Sequence, residues 1–128
     1  MCHQTVCLVA RHLEENGIPT VVVGSARDIV EECGTARFLF TDFPLGNPCG
    51  KPWDEEMQRS IMNMTLDLLQ GAWQPRTTVQ APFLWSEDET WRKVFMHVSE
   101  KEREAFKKAG DVRRAEQAKV KEKLIKED

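Results

Sequence analysis

The sequence predicts an α/β fold, namely part of an open, mostly parallel sheet with flanking helices and a helical C-terminal tail. Segments with helical periodicity alternate with short, continuous runs of β-branched and aromatic residues. Only a few residues separate these segments, as in sheets built from parallel strands and crossover helices. After residue 98, proline, tryptophan and cysteine no longer occur and Lys, Glu and Ala dominate. We therefore expect an α/β domain over residues 1–98 and a charged helical tail over residues 99–128.

The first helix is expected over residues 4–16, where apolar side chains recur at helical spacing. Its predicted core-facing stripe consists of Val6, Leu8, Val9 and Leu13. Gly17 and Pro19 end this helix, since glycine adopts the left-handed cap conformation and proline cannot continue a helix. The β-branched run within residues 19–24 then indicates a strand that is buried on both faces.

The second helix and the second strand follow at once. A helix is expected over residues 26–33, with Ser25 as its N-cap and Gly34 as its end. The apolar run within residues 36–41 indicates another buried strand. Two strands are too few for a stable sheet, because three or more are normally needed. We therefore expect both strands to belong to a larger, Rossmann-like sheet, whose other strands lie in an upstream region or in a partner chain.

Residues 42–53 are the most irregular segment, with three prolines and two glycines. The segment follows a strand, so it is expected at the carboxyl edge of the sheet, where ligands bind in open α/β folds. Asp54 is the predicted N-cap of a third helix that runs to Gln70 and has Glu55 in its first turn.

Beyond residue 71 the elements are less regular. Residues 72–86 are predicted to form an extended connector. Ser86 and Glu89 have the spacing of a capping box, which predicts the start of a helix. Residues 99–126 are expected to be helical, with a break or kink around Gly110, because glycine is unfavourable inside helices.

Charge and hydropathy exclude several classes of protein. The 18 basic and 21 acidic residues give a net charge of −3, which argues against a strongly basic nucleic-acid-binding protein. The sequence contains neither an apolar run of about 20 residues, as a membrane span needs, nor a signal peptide. We therefore predict a cytoplasmic protein with no membrane or nucleic-acid partner. In that reducing compartment its four cysteines are expected to be free thiols.

Cys2, His3 and Cys7 are the candidate chemical cluster. Cys2 lies close to the predicted start of the first helix, where the helix dipole favours a thiolate, and His3 beside it could donate a proton. The alternative is that Cys2 is an ordinary exposed thiol and Cys7 a small core residue. One C-x4-C pair with no second pair does not make a zinc site, so neither a metal nor a cofactor is predicted. Cys33 is expected in the core, and nothing in the sequence activates Cys49.

Three motifs occur in a characteristic order. They are the helix end Glu14-Glu-Asn-Gly-Ile-Pro-Thr20, the strand Ala36-Arg-Phe-Leu-Phe40 and the loop Phe43-Pro-Leu-Gly-Asn-Pro48. Together with Cys2-His-Gln and Gln58 they resemble the component B (selenoprotein B) family of glycine, sarcosine and betaine reductases. The resemblance covers about residues 2–70 and corresponds to the C-terminal portion of that family.

The resemblance implies a reductive cleavage of a C–N bond in a small amine substrate. In this family a selenocysteine or cysteine nucleophile is followed by two cysteines at three-residue intervals. Alignment on the Gly17-Ile-Pro-Thr20 turn puts the first on Cys2, puts Thr5 in place of the second, and puts the nucleophile two residues upstream of Met1. Cys2 would then be a resolving thiol and His3 an acid, and a pocket wall is expected from Pro44, Leu45 and Gly46.

Two functional hypotheses follow. In the first, the chain is the C-terminal portion of a component-B-like reductase, either truncated at an in-frame UGA codon or encoded as a split subunit. It would be inactive alone and would work with other reductase subunits or with a missing N-terminal half. In the second, the chain is a non-catalytic α/β module that docks a partner through its C-terminal helix.

Overall fold

The structure is a computed structural model, which describes residues 2–95 and 98–127. Helices and strands alternate along the chain from the first helix to the fourth. The helices are α1 Cys2–Glu15, α2 Arg27–Cys33, α3 Glu55–Gly71, α4 Thr90–Val94 and α5 Glu100–Glu127, and the strands are β1 Val22–Gly24, β2 Arg37–Phe40 and β3 Thr77–Gln80. No helix in the described part of the chain is both long enough and apolar enough to cross a lipid bilayer.

The three strands form one parallel sheet in the order β1-β2-β3. Val22 lies opposite Phe38, and Phe38 lies opposite Thr78. This arrangement confirms the predicted open parallel α/β sheet. The third strand corrects the prediction of a connector over 72–86. Thr77-Thr-Val-Gln80 contains a single apolar residue, so a search for continuous apolar runs does not find it.

Helices cover both faces of the sheet. Neighbouring residues of a strand point to opposite faces, so β2 contributes side chains to an apolar cluster on each side. Phe38 of β2 is buried on the side of α1 and α2 and belongs to one apolar cluster with Cys7, Ala10, Val22 and Val30. Leu39 is buried on the other side, where α3 packs, in a cluster with Phe43, Ile61, Leu68 and Ala81. The sheet is therefore the central layer of the domain.

Helix α1 buries a different face from the predicted one. The buried side chains are Cys7 and Ala10. Val6, Leu8 and Val9 are 44%, 61% and 52% exposed, so the prediction that they face the core is wrong. The most apolar face of an isolated helix sequence does not identify its core face when small residues such as Cys7 and Ala10 pack against the sheet.

The ends of the helices partly follow the predicted signals. Gly17 ends α1 with a φ of +80°, and Ile18 donates to the carbonyl of Leu13. The Asp54 side chain accepts a hydrogen bond from the Met57 N–H and caps α3 as predicted. Ala26, with no side-chain cap hydrogen bond, occupies the N-cap of α2, so the assignment of Ser25 to this position is wrong.

Helix α5 begins at a different capping box from the predicted one. The predicted capping box at Ser86 is wrong, since its hydroxyl donates to Asp88 and the helix begins only at Thr90. A reciprocal capping box forms instead between Ser99 and Glu102, at the start of α5. Helix α5 continues through Gly110, contrary to the predicted break.

The residues up to Arg92 and those from Lys93 onward form two compact units.

Candidate functional site

A small pocket lies at the carboxyl end of β1, beside the start of α1 and the loop 42–53. Its volume is about 180 Å³, and its wall is mostly apolar. The lining residues are Cys2, His3, Val6, Val23, Ser25, Gly46 and Pro48. Ligands of open α/β sheets bind at this edge of the strands, so the pocket lies where the fold favours a site.

His3 connects the thiol of Cys2 to the end of β1. Cys2 is the first residue of α1 and is exposed, and its Sγ lies 3.6 Å from His3 Nδ1. On the other side of the ring, His3 Nε2 accepts a hydrogen bond from the Ser25 N–H at 3.4 Å. The ring also lies directly over Gly24, whose missing Cβ would stand 3.2 Å from His3 Cδ2.

Thr41 holds the loop 42–53 against the strand ends. Its side chain is fully buried, its backbone N–H donates to the Gly24 carbonyl at 3.0 Å, and its hydroxyl donates to the Pro48 carbonyl at 2.9 Å. The same hydroxyl lies 3.5 Å from Ser25 Oγ. One buried threonine therefore links β1, β2 and the loop that closes the pocket.

The loop is also held from the side of α3. Gln58 donates its amide to the Lys51 carbonyl at 2.6 Å. Gly50 has a φ of +113°, and a Cβ there would stand 3.2 Å from the Gln58 side chain. Both observations indicate that the loop and the first turns of α3 fit closely, which keeps Gly46 and Pro48 beside β1.

The predicted site residues occupy three different positions. Cys2, His3 and Gly46 line the same pocket. Pro44 is buried and Leu45 is exposed, and neither belongs to the lining. Sequence reasoning did not select Val6, Val23, Ser25 and Pro48, which also line the pocket. The available signal was that Gly24 and Ser25 end a strand, which puts them at the same sheet edge as the proline-rich loop.

The remaining cysteines have different surroundings. Cys7 is fully buried in an apolar cluster, in agreement with the alternative that it is a small core residue, and Cys33 is partly buried against the same cluster. Burial and the neighbouring Cys33 thiol raise the pKa of Cys7 to about 11, which keeps Cys7 protonated and unreactive near neutral pH. Cys49 is exposed in the loop. Within the described residues, His, Cys, Asp and Glu side chains form no group of three that could hold a metal ion.

A polar cluster occupies the opposite, amino edge of the sheet. Glu14 Oε1 accepts hydrogen bonds from the backbone N–H and the hydroxyl of Thr20, and from Arg37 Nη1 at 2.9 Å. Burial raises the pKa of Glu14, but the hydrogen bonds from Thr20 and the Arg37 charge outweigh it and lower the pKa overall. The cluster ties the end of α1 to the start of β2.

The chain is similar to a subunit of a reductase. It shares 35% identity over 68 residues with D-proline reductase subunit gamma of Acetoanaerobium sticklandii. The matched stretch is 53% of this chain and 28% of that protein, so the chain spans less than a third of the length of this relative. No family model matches the sequence. No solved structure matches it either.

Proposed function

We propose that the chain is the thiol-bearing portion of a reductase complex and that Cys2 and His3 are its reacting groups. The observation that carries the proposal is the pocket in which an exposed thiol and an imidazole lie together at the carboxyl edge of the sheet. The similarity to a D-proline reductase subunit supports the reductase class. The motifs that resemble component B of glycine, sarcosine and betaine reductases support the same class.

Cys2 would act as a resolving thiol. Its thiolate, after loss of the proton to solvent, attacks a sulfur or selenium atom of the nucleophile that has been oxidised or modified during the reaction. A bond from Cys2 Sγ to that atom forms, and the bond to its previous substituent breaks. The substituent leaves with the electron pair and takes a proton from the imidazolium form of His3, which returns to the neutral ring. An external dithiol then reduces the new disulfide or selenenyl sulfide, so the chain alone would not turn over.

The substrate class would be a small amine or amino acid. A volume of about 180 Å³ suits a small molecule rather than a polymer. Gly46 would form part of the substrate wall directly, whereas Pro44 and Leu45 would hold the turn that presents it. That turn is closed by a hydrogen bond from the Asn47 N–H to the Pro44 carbonyl at 3.1 Å.

The partner would be another reductase polypeptide that covers the outer flank of α1. Cys2, Val6 and Val9 follow each other at helical spacing, and all three are exposed. Beside this flank lies β1, which pairs with β2 alone among the described strands and so leaves one edge open. A partner on this flank would reach the pocket, because Val6 belongs to both surfaces.

A second candidate function is that of a docking module. Helix α5 exposes Phe106 and Val112 among charged residues, which favours a partner contact that requires no chemistry. This function predicts ordinary reactivity at Cys2, so the same chemical test separates the two.

Exchange with a small aromatic disulfide tests the proposal. We expect Cys2 in the intact chain to exchange faster than Cys49, and the Cys2→Ser variant to lose the fast phase. The Cys49→Ser variant is the matched control and should retain it. A fast phase that survives in Cys2→Ser would show that the reactive thiol lies elsewhere and would overturn the proposal.

A further inference from the structure

We propose that Gly24 and the backbone N–H of Ser25 are positioning elements that hold neutral His3 as the Nδ1–H tautomer, with its proton directed at Cys2. The inference deepens the proposed function and rests on it, because it concerns the hydrogen-bond donor beside the thiol of the same site. It concerns Gly24 and Ser25 at the end of β1, which lie outside the three motifs that carry the family resemblance.

The argument for the tautomer starts from the Ser25 amide. A backbone N–H only donates, so His3 Nε2, 3.4 Å away, accepts with its lone pair and carries no proton. A neutral imidazole has one N–H, which must then lie on Nδ1. Nδ1 is the ring atom that lies 3.6 Å from Cys2 Sγ. The backbone at the end of β1 thus selects the proton position that faces the thiol.

Gly24 makes this ring position available. A Cβ at residue 24 would stand 3.2 Å from His3 Cδ2 and 3.3 Å from His3 Nε2. It would also stand 3.4 Å from the buried Phe38 ring, so it could not move away from the imidazole into free space. An alanine would therefore push Nε2 away from the Ser25 N–H. No positive φ is required of Gly24, so the expected effect of alanine comes from the ring contact.

The selected tautomer has a chemical consequence for Cys2. An Nδ1–H on the neutral ring donates a hydrogen bond to the Cys2 thiolate and so favours the reactive form of the thiol. The neutral ring keeps this proton, and protonation of a leaving group requires the imidazolium form. With the proton on Nε2, the lone pair of Nδ1 would face the sulfur, and His3 could donate no hydrogen bond to the thiolate. Gly24 thereby acts on the reaction through His3 and does not touch the reacting atoms.

Two-bond proton–nitrogen NMR correlations on the ¹⁵N-labelled full chain test the assignment, because they distinguish the two neutral tautomers. We expect neutral His3 in the wild-type chain to show the Nδ1–H pattern. We expect the Gly24→Ala variant to shift towards the Nε2–H pattern. Gly71→Ala is the matched control, since its Cβ would meet nothing within 4 Å, and it should leave the spectrum unchanged. A wild-type Nε2–H pattern would overturn the inference without any variant.

The alkylation rate of Cys2 supplies the second readout. We expect Gly24→Ala to slow it about fivefold, as loss of one hydrogen bond predicts, and Gly71→Ala to leave it unchanged. An Nδ1–H tautomer beside a Cys2 that reacts no faster than Cys49 would contradict the proposed function while the positioning stands. A fast Cys2 beside an Nε2–H tautomer would contradict the positioning alone.

Discussion

The two edges of the sheet are held together in different ways. At the amino edge, Glu14 accepts two hydrogen bonds from Thr20 and one from Arg37. The Glu14 carboxylate is therefore paired with the Arg37 guanidinium. At the carboxyl edge, Cys2 Sγ lies 3.6 Å from His3 and the His3 ring lies 3.4 Å from the Ser25 N–H, beside an apolar pocket. One edge uses its polar groups to fix the fold, and the other leaves a thiol accessible to a reaction partner.

The motifs that carry the family resemblance lie at both edges of the sheet. Glu14 and Thr20 belong to the helix-end motif and Arg37 to the strand motif, and these three side chains meet at the amino edge. The loop motif and Cys2-His3 meet at the carboxyl edge. The first two motifs therefore support the fold, and the loop with Cys2-His3 bears on the proposed chemistry.

The largest expected effect comes from removing the ion pair at the amino edge. Glu14→Gln removes the charge that Arg37 pairs with and leaves a half-buried guanidinium without a counter-ion. We expect a loss of about 2 kcal/mol in the free energy of unfolding, roughly 30-fold in the equilibrium, measured by urea denaturation.

Glu31→Gln is the control, because its ion pair with Arg27 lies on the surface and is worth about 0.5 kcal/mol. The lowered pKa of Glu14 means that its stabilisation is present above pH 4.5 and is lost as the pH falls below that value. Equal losses in the two variants would contradict the assigned role of the amino edge.

His3→Ala removes the imidazole at the carboxyl edge. We expect the rate of disulfide exchange at Cys2 to fall about tenfold, less than is typical for a lost acid–base group, because Cys2 is exposed. His12→Ala should leave the rate unchanged, since His12 does not line the pocket. A similar rate in the two variants would show that His3 takes no part.

Thr41→Val tests the link between loop and strands. The variant keeps the shape and removes the hydroxyl that binds the Pro48 carbonyl. We expect about 1 kcal/mol of destabilisation, roughly fivefold, and faster hydrogen exchange in residues 44–50. Thr65→Val is the matched control, because that hydroxyl binds Ile61 within its own helix. Unchanged loop exchange in Thr41→Val would contradict the anchoring role.

The effect that is smallest near neutral pH concerns the buried thiol. The pKa of Cys7 is raised from 9.0 to about 11, so above pH 9 the unfolded chain ionises before the folded one. The free energy of unfolding should therefore decline between pH 9 and 11, and part of that decline should disappear in Cys7→Ala. An identical pH slope in both chains would contradict the buried environment assigned to Cys7.

The sequence predicted the elements whose local signal agrees with their burial. Strands β1 and β2 were predicted because Val21-Val-Val23 and Phe38-Leu-Phe40 are continuous apolar runs. Strand β3 was missed because Thr77 is buried despite its hydroxyl, which donates to the Gln74 carbonyl and so satisfies its polar group. The core face of α1 was misplaced because Val6, Leu8 and Val9 of its apolar stripe are exposed.

The candidate site was predictable only in part. Cys2 and His3 are adjacent in sequence, and the strand-to-loop order put Gly46 at the same edge. The contact between His3 and Ser25 joins residues that are 22 positions apart, and it depends on how α1 packs over β1. No local pattern encodes that packing, and so the role of Gly24 emerges only from the folded chain.

The rate of alkylation of Cys2 relative to Cys49 tests the central claim most directly. Both thiols are exposed, so iodoacetamide at pH 7 followed by peptide mass spectrometry compares them within one molecule. We predict that Cys2 reacts about tenfold faster in the folded chain and that denaturant abolishes the difference. Equal rates in the folded chain would contradict a reactive thiol at this pocket and would leave the docking module as the function.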